Sequence, residues 1–161
     1  MNDAPDSSER RGLLSALAGT AVALAVPVRV FAQASQRSHV DPADPVAKGF
    51  TRGATVRPGR VRLELPVLAD NGNSVPMKVT VQSPMTESDY VKAIQLISER
   101  NPVRDMAVFR LGPRAGRAEI VSRVRLAGSQ RVVAIAEMSD GSFWSDAADI
   151  VVTLSACVDE S

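Results

Sequence analysis

One residue in this chain has a type and position that invite covalent chemistry. Cys157 is the only cysteine, and it stands close to the C-terminus. A lone thiol cannot close a disulfide inside its own fold. It is therefore inert and buried, joined to another chain, or kept available for reaction, and a place on a terminal tail favours the last two. Other chemistry is thin. A Cys-His dyad with the single histidine, His39, needs the two ends of the chain to meet, so a solvated histidine is the plainer reading. One cysteine and one histidine do not make a zinc cage. Asp140, Asp146 and Asp149 cluster around Phe143-Trp144 but read as turn and strand-edge residues rather than a catalytic carboxylate pair. Neither a Gly-x-Gly-x-x-Gly loop nor a Walker loop occurs. No cofactor or metal is expected, nor a self-contained enzyme.

The N-terminus reads as a targeting segment, to be set aside before the fold is considered. Arg10-Arg11 precede an apolar run from Leu13 to Val26, broken by Ser15, Gly19 and Thr20. That run falls short of the roughly 20 residues a membrane-spanning helix needs. Arg29 follows, and Ala32-Gln33-Ala34 supplies a small-x-small cleavage pattern. Paired arginines, a weak apolar segment and a late basic residue resemble a twin-arginine (Tat) signal, the export route of proteins folded beforehand. The expectation is a signal peptide over residues 1–34, cleavage after Ala34, and a periplasmic protein.

Residues 35–161 suit one domain. The leader's acids and bases cancel, leaving a net charge of +1; scattered arginines and few aromatics offer neither a field nor a stacking platform for nucleic acid. Residues 35–58 read as an irregular lead-in, with Asp41-Pro42-Ala43-Asp44-Pro45 able to start a short helix that turns Val46 and Phe50 inward. The pattern then alternates with period two over Val61–Leu65, Met77–Val81, Ala107–Leu111, Ile120–Leu126 and Ile150–Leu154, the signature of half-buried strands. Tyr90–Ile97 is ambiguous between helix and strand; Pro84 and Pro102 bracket it, and it is assigned as strand. Val132–Met138 is apolar almost throughout, as in a central strand covered on both faces. Asn71-Gly72 between the first two runs is a strong short turn signal. The expected fold is all-β, an antiparallel immunoglobulin-like β-sandwich of about seven strands over residues 59–154. Leu63, Val79, Phe109, Val124, Ala134 and Val152 are the expected core. Residues 155–161 form a C-terminal tail bearing Cys157.

Four ordered blocks resemble the SoxY family, the thiosulfate-oxidation carrier proteins of bacterial periplasms. They are Ala69–Pro76 (Ala-Asp-Asn-Gly-Asn-Ser-Val-Pro), Ser83–Glu87 (Ser-Pro-Met-Thr-Glu), Ser98–Pro102 (Ser-Glu-Arg-Asn-Pro) and Ala134–Trp144. The resemblance runs from about Arg60 to Cys157. It implies an immunoglobulin-like sandwich paired with a SoxZ-like subunit, and sulfur intermediates held on a cysteine that visits cytochrome and hydrolase components in turn.

The family's arm ends Gly-Gly-Cys-Gly-Gly, whereas this chain ends Ser155-Ala156-Cys157-Val158-Asp159-Glu160-Ser161. The thiol position matches and the flanking glycines are lost. Side chains thicken the arm, and Asp159, Glu160 and the terminal carboxylate disfavour a thiolate and repel anionic thiosulfate. Two readings follow. Cys157 carries sulfur covalently, or the chain is a SoxY-like binding subunit that works through protein contacts, for instance beside a quinoprotein dehydrogenase system.

Overall fold

A computed structural model describes residue 41 and residues 43–154. Arg10, Arg11, Ala34, His39 and Cys157 lie outside these described residues, so the expected leader, its cleavage and the thiol's surroundings do not enter the description. The described part is an all-β sandwich, as expected, with one short helix, α1 (Pro45–Thr51).

Nine strands are present among the described residues rather than about seven. They are β1 (Val56–Pro58), β2 (Val61–Glu64), β3 (Leu68–Asn71), β4 (Val75–Val81), β5 (Val91–Ser98), β6 (Asp105–Arg110), β7 (Glu119–Val124), β8 (Gln130–Met138) and β9 (Phe143–Leu154). One sheet runs β1-β9-β8-β5-β6, with β3 also on β9; the other runs β2-β4-β7. The ambiguous Tyr90–Ile97 stretch is β5, an interior strand between β8 and β6.

The two additional strands are short and both pair with β9 in parallel, Val56 opposite Phe143 and Leu68 opposite Val151. Each is set down beside a strand far along the chain, and three or four residues leave too little alternation to betray them. The turn expected at Asn71-Gly72 forms, and it connects β3 in one sheet to β4 in the other. β2 and β4 pair antiparallel, Leu63 opposite Val79.

The inner faces of the two sheets form the main core. Val75, Val79, Val91, Ile94, Leu96, Val132, Ala134 and Ala136 are fully buried there. Val79, Ala134, Leu63 and Val152 are in it as expected. Phe109 and Val124 are only half-buried, because β6 and β7 are the outermost strands of their sheets and meet along an open seam.

The helix explains why β5 and β8 are apolar on both faces. Ala47 and Thr51 are buried, and α1 covers Ile97, Val133, Ile135, Phe143 and Ala147 on the outer side of the larger sheet. Phe50 meets Phe143 edge to face, with ring centroids 5.9 Å apart, a geometry worth about 0.5–1.5 kcal/mol beyond simple burial. The lead-in thus holds structure, with both α1 and β1 seated on the sandwich.

The start of α1 is fixed by its sequence. Asp44 is the N-cap and accepts from the Val46 amide at 2.9 Å, and Pro45 fits the first helical position. Asp44 also pairs with Arg104, which donates to the Ser98 carbonyl as well. Burial pushes the Asp44 carboxyl up, but the Arg104 hydrogen bond, the Val46 amide and the Arg104 charge outweigh it and hold the group below its ordinary value. A carboxyl depressed on folding adds stability that is complete above its unfolded pKa and is lost as pH falls through the folded one. Asp44→Asn should therefore be less stable than the parent at pH 7, and the gap should close as pH drops below about 4. Urea unfolding of both proteins across pH checks this; a gap of constant size at all pH values would contradict it.

Candidate functional site

The resemblance implies chemistry on residues 155–161, so the end of the sandwich where β9 reaches Leu154 is the candidate site. β9 is the longest strand and ends at Leu154, three residues before Cys157. Its last residues are held firmly. The Gly72 amide donates to the Leu154 carbonyl at 2.8 Å, and the Leu126 amide donates to the Gly72 carbonyl at 2.8 Å. The Thr153 hydroxyl donates to the Asp70 carbonyl at 2.7 Å. On the other flank the Val152 amide donates to Ser129 Oγ at 2.9 Å.

Asn101 organises the loops around this base. Its Oδ1 accepts from the Ala127 amide at 2.9 Å and from Gln130 Nε2 at 3.1 Å, and its Nδ2 donates to the Arg125 carbonyl at 2.8 Å. Gln130 Oε1 in turn accepts from the Arg100 amide at 3.0 Å. Two of the four blocks behind the resemblance, Ala69–Pro76 and Ser98–Pro102, thereby meet at the base of the tail. Asn101 was not singled out from the sequence. A polar side chain before Pro102, in a loop between two apolar strands, is the signal that marks it.

Three arginines surround the same base. Arg100 Nη1 donates to the Ser129 carbonyl at 3.1 Å, and Arg123 Nη1 donates to the Ser74 carbonyl and hydroxyl at 3.1 and 3.2 Å. Arg125 lies next to Leu126. Exposed apolar residues add to the surface, with Val67 81%, Val151 51% and Leu154 65% accessible. Beside Arg123 and Arg125 the seam between β6 and β7 opens into a groove of about 310 Å³, floored by Met106, Phe109 and Val124.

The aspartates near Phe143-Trp144 are structural. Asp140 closes a turn by accepting from the hydroxyl and amide of Ser142 at 2.6 and 2.8 Å, and these bonds hold its carboxyl below the ordinary value. Asp146 ties the sheets together by accepting from the Leu63 amide at 2.8 Å. Asp149 makes a forked pair with Arg131 and keeps that guanidinium above its ordinary value. Trp144 is also packed, with the guanidinium carbons of Arg57 and Arg60 5.8 and 5.9 Å from its ring centroid. Among the described residues, no group of three or more His, Cys, Asp or Glu is placed to hold a metal ion, and no helix is long and apolar enough to cross a membrane.

Among the described residues these features define a small two-sheet domain whose last described strand, β9, is firmly anchored at its end. Comparison with known proteins gives the family. The profile described as "Sulfur oxidation protein SoxY" matches residues 47–157, and the chain belongs to the SoxY family. Among solved structures it is similar to the sulfur carrier protein SoxY from Chlorobium limicola f thiosulfatophilum (20% identity, TM-score 0.57, covering 68% of this chain and 94% of that one). Superoxide reductases share the fold. The neelaredoxin of Ignicoccus hospitalis has 15% identity and a TM-score of 0.53, covering 58% of this chain and 80% of that one. The enzyme of Nanoarchaeum equitans has 12% identity and a TM-score of 0.50, covering 60% and 100%. At these identities the structural likenesses speak to the fold alone. No curated protein matches the chain by sequence.

Proposed function

We propose that this protein is a periplasmic sulfur carrier that holds the intermediates of thiosulfate oxidation on Cys157 while bound to a SoxZ-like subunit. The observation that carries the reading is the extent of the family match, which runs to residue 157, the cysteine itself. The firm anchoring of β9 supports it, since a carrier needs a rigid base from which a short arm reaches its partners.

The chemistry needs one thiolate. The sulfane sulfur of thiosulfate bonds to Cys157 Sγ, giving an S-sulfonated disulfide, Cys–S–S–SO3⁻, and two electrons pass to a cytochrome partner. Water then attacks the terminal sulfur on a hydrolase partner, releasing sulfate and protons and leaving a persulfide on Cys157. Both catalysts lie on the partners; the carrier contributes its thiol and its tether.

The second reading is the non-carrying binding subunit, for instance one associated with a quinoprotein dehydrogenase system. The observation in its favour is the tail, where Ser155, Ala156, Val158 and Asp159 stand at the positions of the glycines that would keep the arm thin and uncharged, with Glu160 following. Intact mass of protein recovered from cells grown on thiosulfate, with and without reductant, separates the two. Reductant-labile sulfur adducts on Cys157 support the carrier, and a bare thiol throughout supports the binding subunit.

Export is tested separately. With Arg10→Lys and Arg11→Lys together, uncleaved precursor should collect in the cytoplasm, because the twin-arginine route tolerates the double change poorly. Normal processing of that variant would remove the Tat assignment.

A further inference from the structure

An open sheet ends in edges whose unpaired backbone groups invite a further strand, and this protein blunts its edges unequally. β1 is three residues long and holds Pro58, and β2 and β3 are four residues each. β6 is longer, but its register against β5 shifts between Leu96 and Ile97. β7 is different. It runs six residues, Glu119–Val124, without proline or lysine, and its register against β4 is unbroken.

The direction of its backbone groups follows from one bond. The Val81 amide donates to the Ala118 carbonyl at 2.8 Å, so Ala118 turns its polar groups toward β4. Alternate residues of an antiparallel strand bond to opposite sides. The amides and carbonyls of Glu119, Val121 and Arg123 therefore face away from β4, where, among the described residues, no other strand pairs with β7. The same three residues turn their side chains to solvent, and Val121 is 73% exposed in mid-strand. Lys78 meets Glu119 Oε2 at 3.3 Å. Arg123 donates to Ser74 and, among the described residues, has no carboxylate within 4.0 Å.

Glu-x-Val-x-Arg is its own complement when reversed. Two β7 strands laid antiparallel about Val121 set Val121 against Val121, and Glu119 of each copy against Arg123 of the other. Opposite charges directly across a ladder are favourable, and the two exposed valines cover each other. The facing residues are also those whose backbone groups are free, so the matched pairs are the hydrogen-bonded ones.

We propose that β7 is a dimerisation edge, on which two copies of this protein pair antiparallel about a two-fold axis at Val121 and join their β2-β4-β7 sheets into one. The contact is isologous, as a two-fold dimer requires, and small, so the dimer is reversible. It needs neither sulfur on Cys157 nor a SoxZ-like subunit, and it stands or falls independently of the carrier reading.

Sedimentation velocity of the purified protein over a concentration series reads the monomer–dimer equilibrium, with reductant present so that no Cys157 disulfide contributes. Val121→Lys puts like charges opposite each other at the axis and should weaken the dimer about tenfold. Glu119→Arg and Arg123→Glu should each weaken it to a similar degree, because each sets like charges across the ladder. Mixing decides the register. One of these two variants presents only arginines to the facing positions and the other only glutamates, so together they should pair about tenfold more tightly than either does alone. Circular dichroism of every variant should match the parent, since the altered side chains are exposed. A parent that stays monomeric at every concentration, or a mixture that pairs no better than its components, overturns the dimer. A monomeric parent that binds a SoxZ-like subunit and loses it on Val121→Lys would make that subunit the occupant of the edge, and would overturn it equally.

Discussion

Cys157→Ala is expected to abolish every thiosulfate-dependent mass increase on the protein while leaving its unfolding midpoint and its binding to a SoxZ-like subunit as in the parent. The loss should be complete because the chain holds no second thiol to take over. Stability should be unaffected because both hydrophobic cores are built from residues 47–152. A companion replacement of residues 155–161 by Gly-Gly-Cys-Gly-Gly should act in the opposite sense. It thins the arm and removes the acidic side chains of Asp159 and Glu160. Alkylation and any transfer of thiosulfate should both accelerate. Intact mass after incubation with thiosulfate and the cytochrome partner reads both proteins. If Cys157→Ala still gains sulfur, or if sulfur-dependent growth proceeds unchanged with that variant, the covalent carrier is wrong and the binding subunit takes its place.

Ile94→Ala is expected to cost about 2–5 kcal/mol, a large part of the total stability of a domain of this size. Ile94 is completely inaccessible. It lies on the interior strand β5, with Ala136 opposite on β8 and Phe109 opposite on β6. Truncation leaves a cavity that neighbouring strands, held by ladder bonds on both sides, cannot collapse to fill. Phe109→Ala removes a larger side chain and should nevertheless cost less, because Phe109 lies on the open seam and part of its ring already meets solvent. Denaturant unfolding of the two variants decides. A Phe109→Ala protein destabilised as much as Ile94→Ala would mean that the seam is closed in solution.

That comparison also shows where the sequence was sufficient. Alternation over Val61–Leu65, Met77–Val81 and Ile120–Leu126 marked true strands, because a strand with one wet face must repeat every second residue. The unbroken apolar run of Val132–Met138 marked a strand covered on both faces for the same reason. The helix over Pro45–Thr51 was foreshadowed by the aspartates and prolines before it, since capping is local chemistry. Four blocks of residues were enough to indicate the family, which the match over residues 47–157 then established.

Other features were decided only when distant segments met. β1 and β3 exist because β9 offers them an edge in parallel, and no local pattern encodes a partner some eighty residues away. The Asn71-Gly72 turn looked the same in sequence whether it closed a hairpin or moved the chain between sheets. Phe109 and Val124 have the composition of core residues, and only the sheet order puts them on the outermost strands. Asn101 and the three arginines likewise gather at the base of the tail by tertiary packing. The sequence by itself determined the class of fold, the family and the one thiol. Burial, sheet order and the open seam between β6 and β7 were left to the tertiary structure, because apolar alternation specifies which face of a strand turns inward but not which strand ends the sheet.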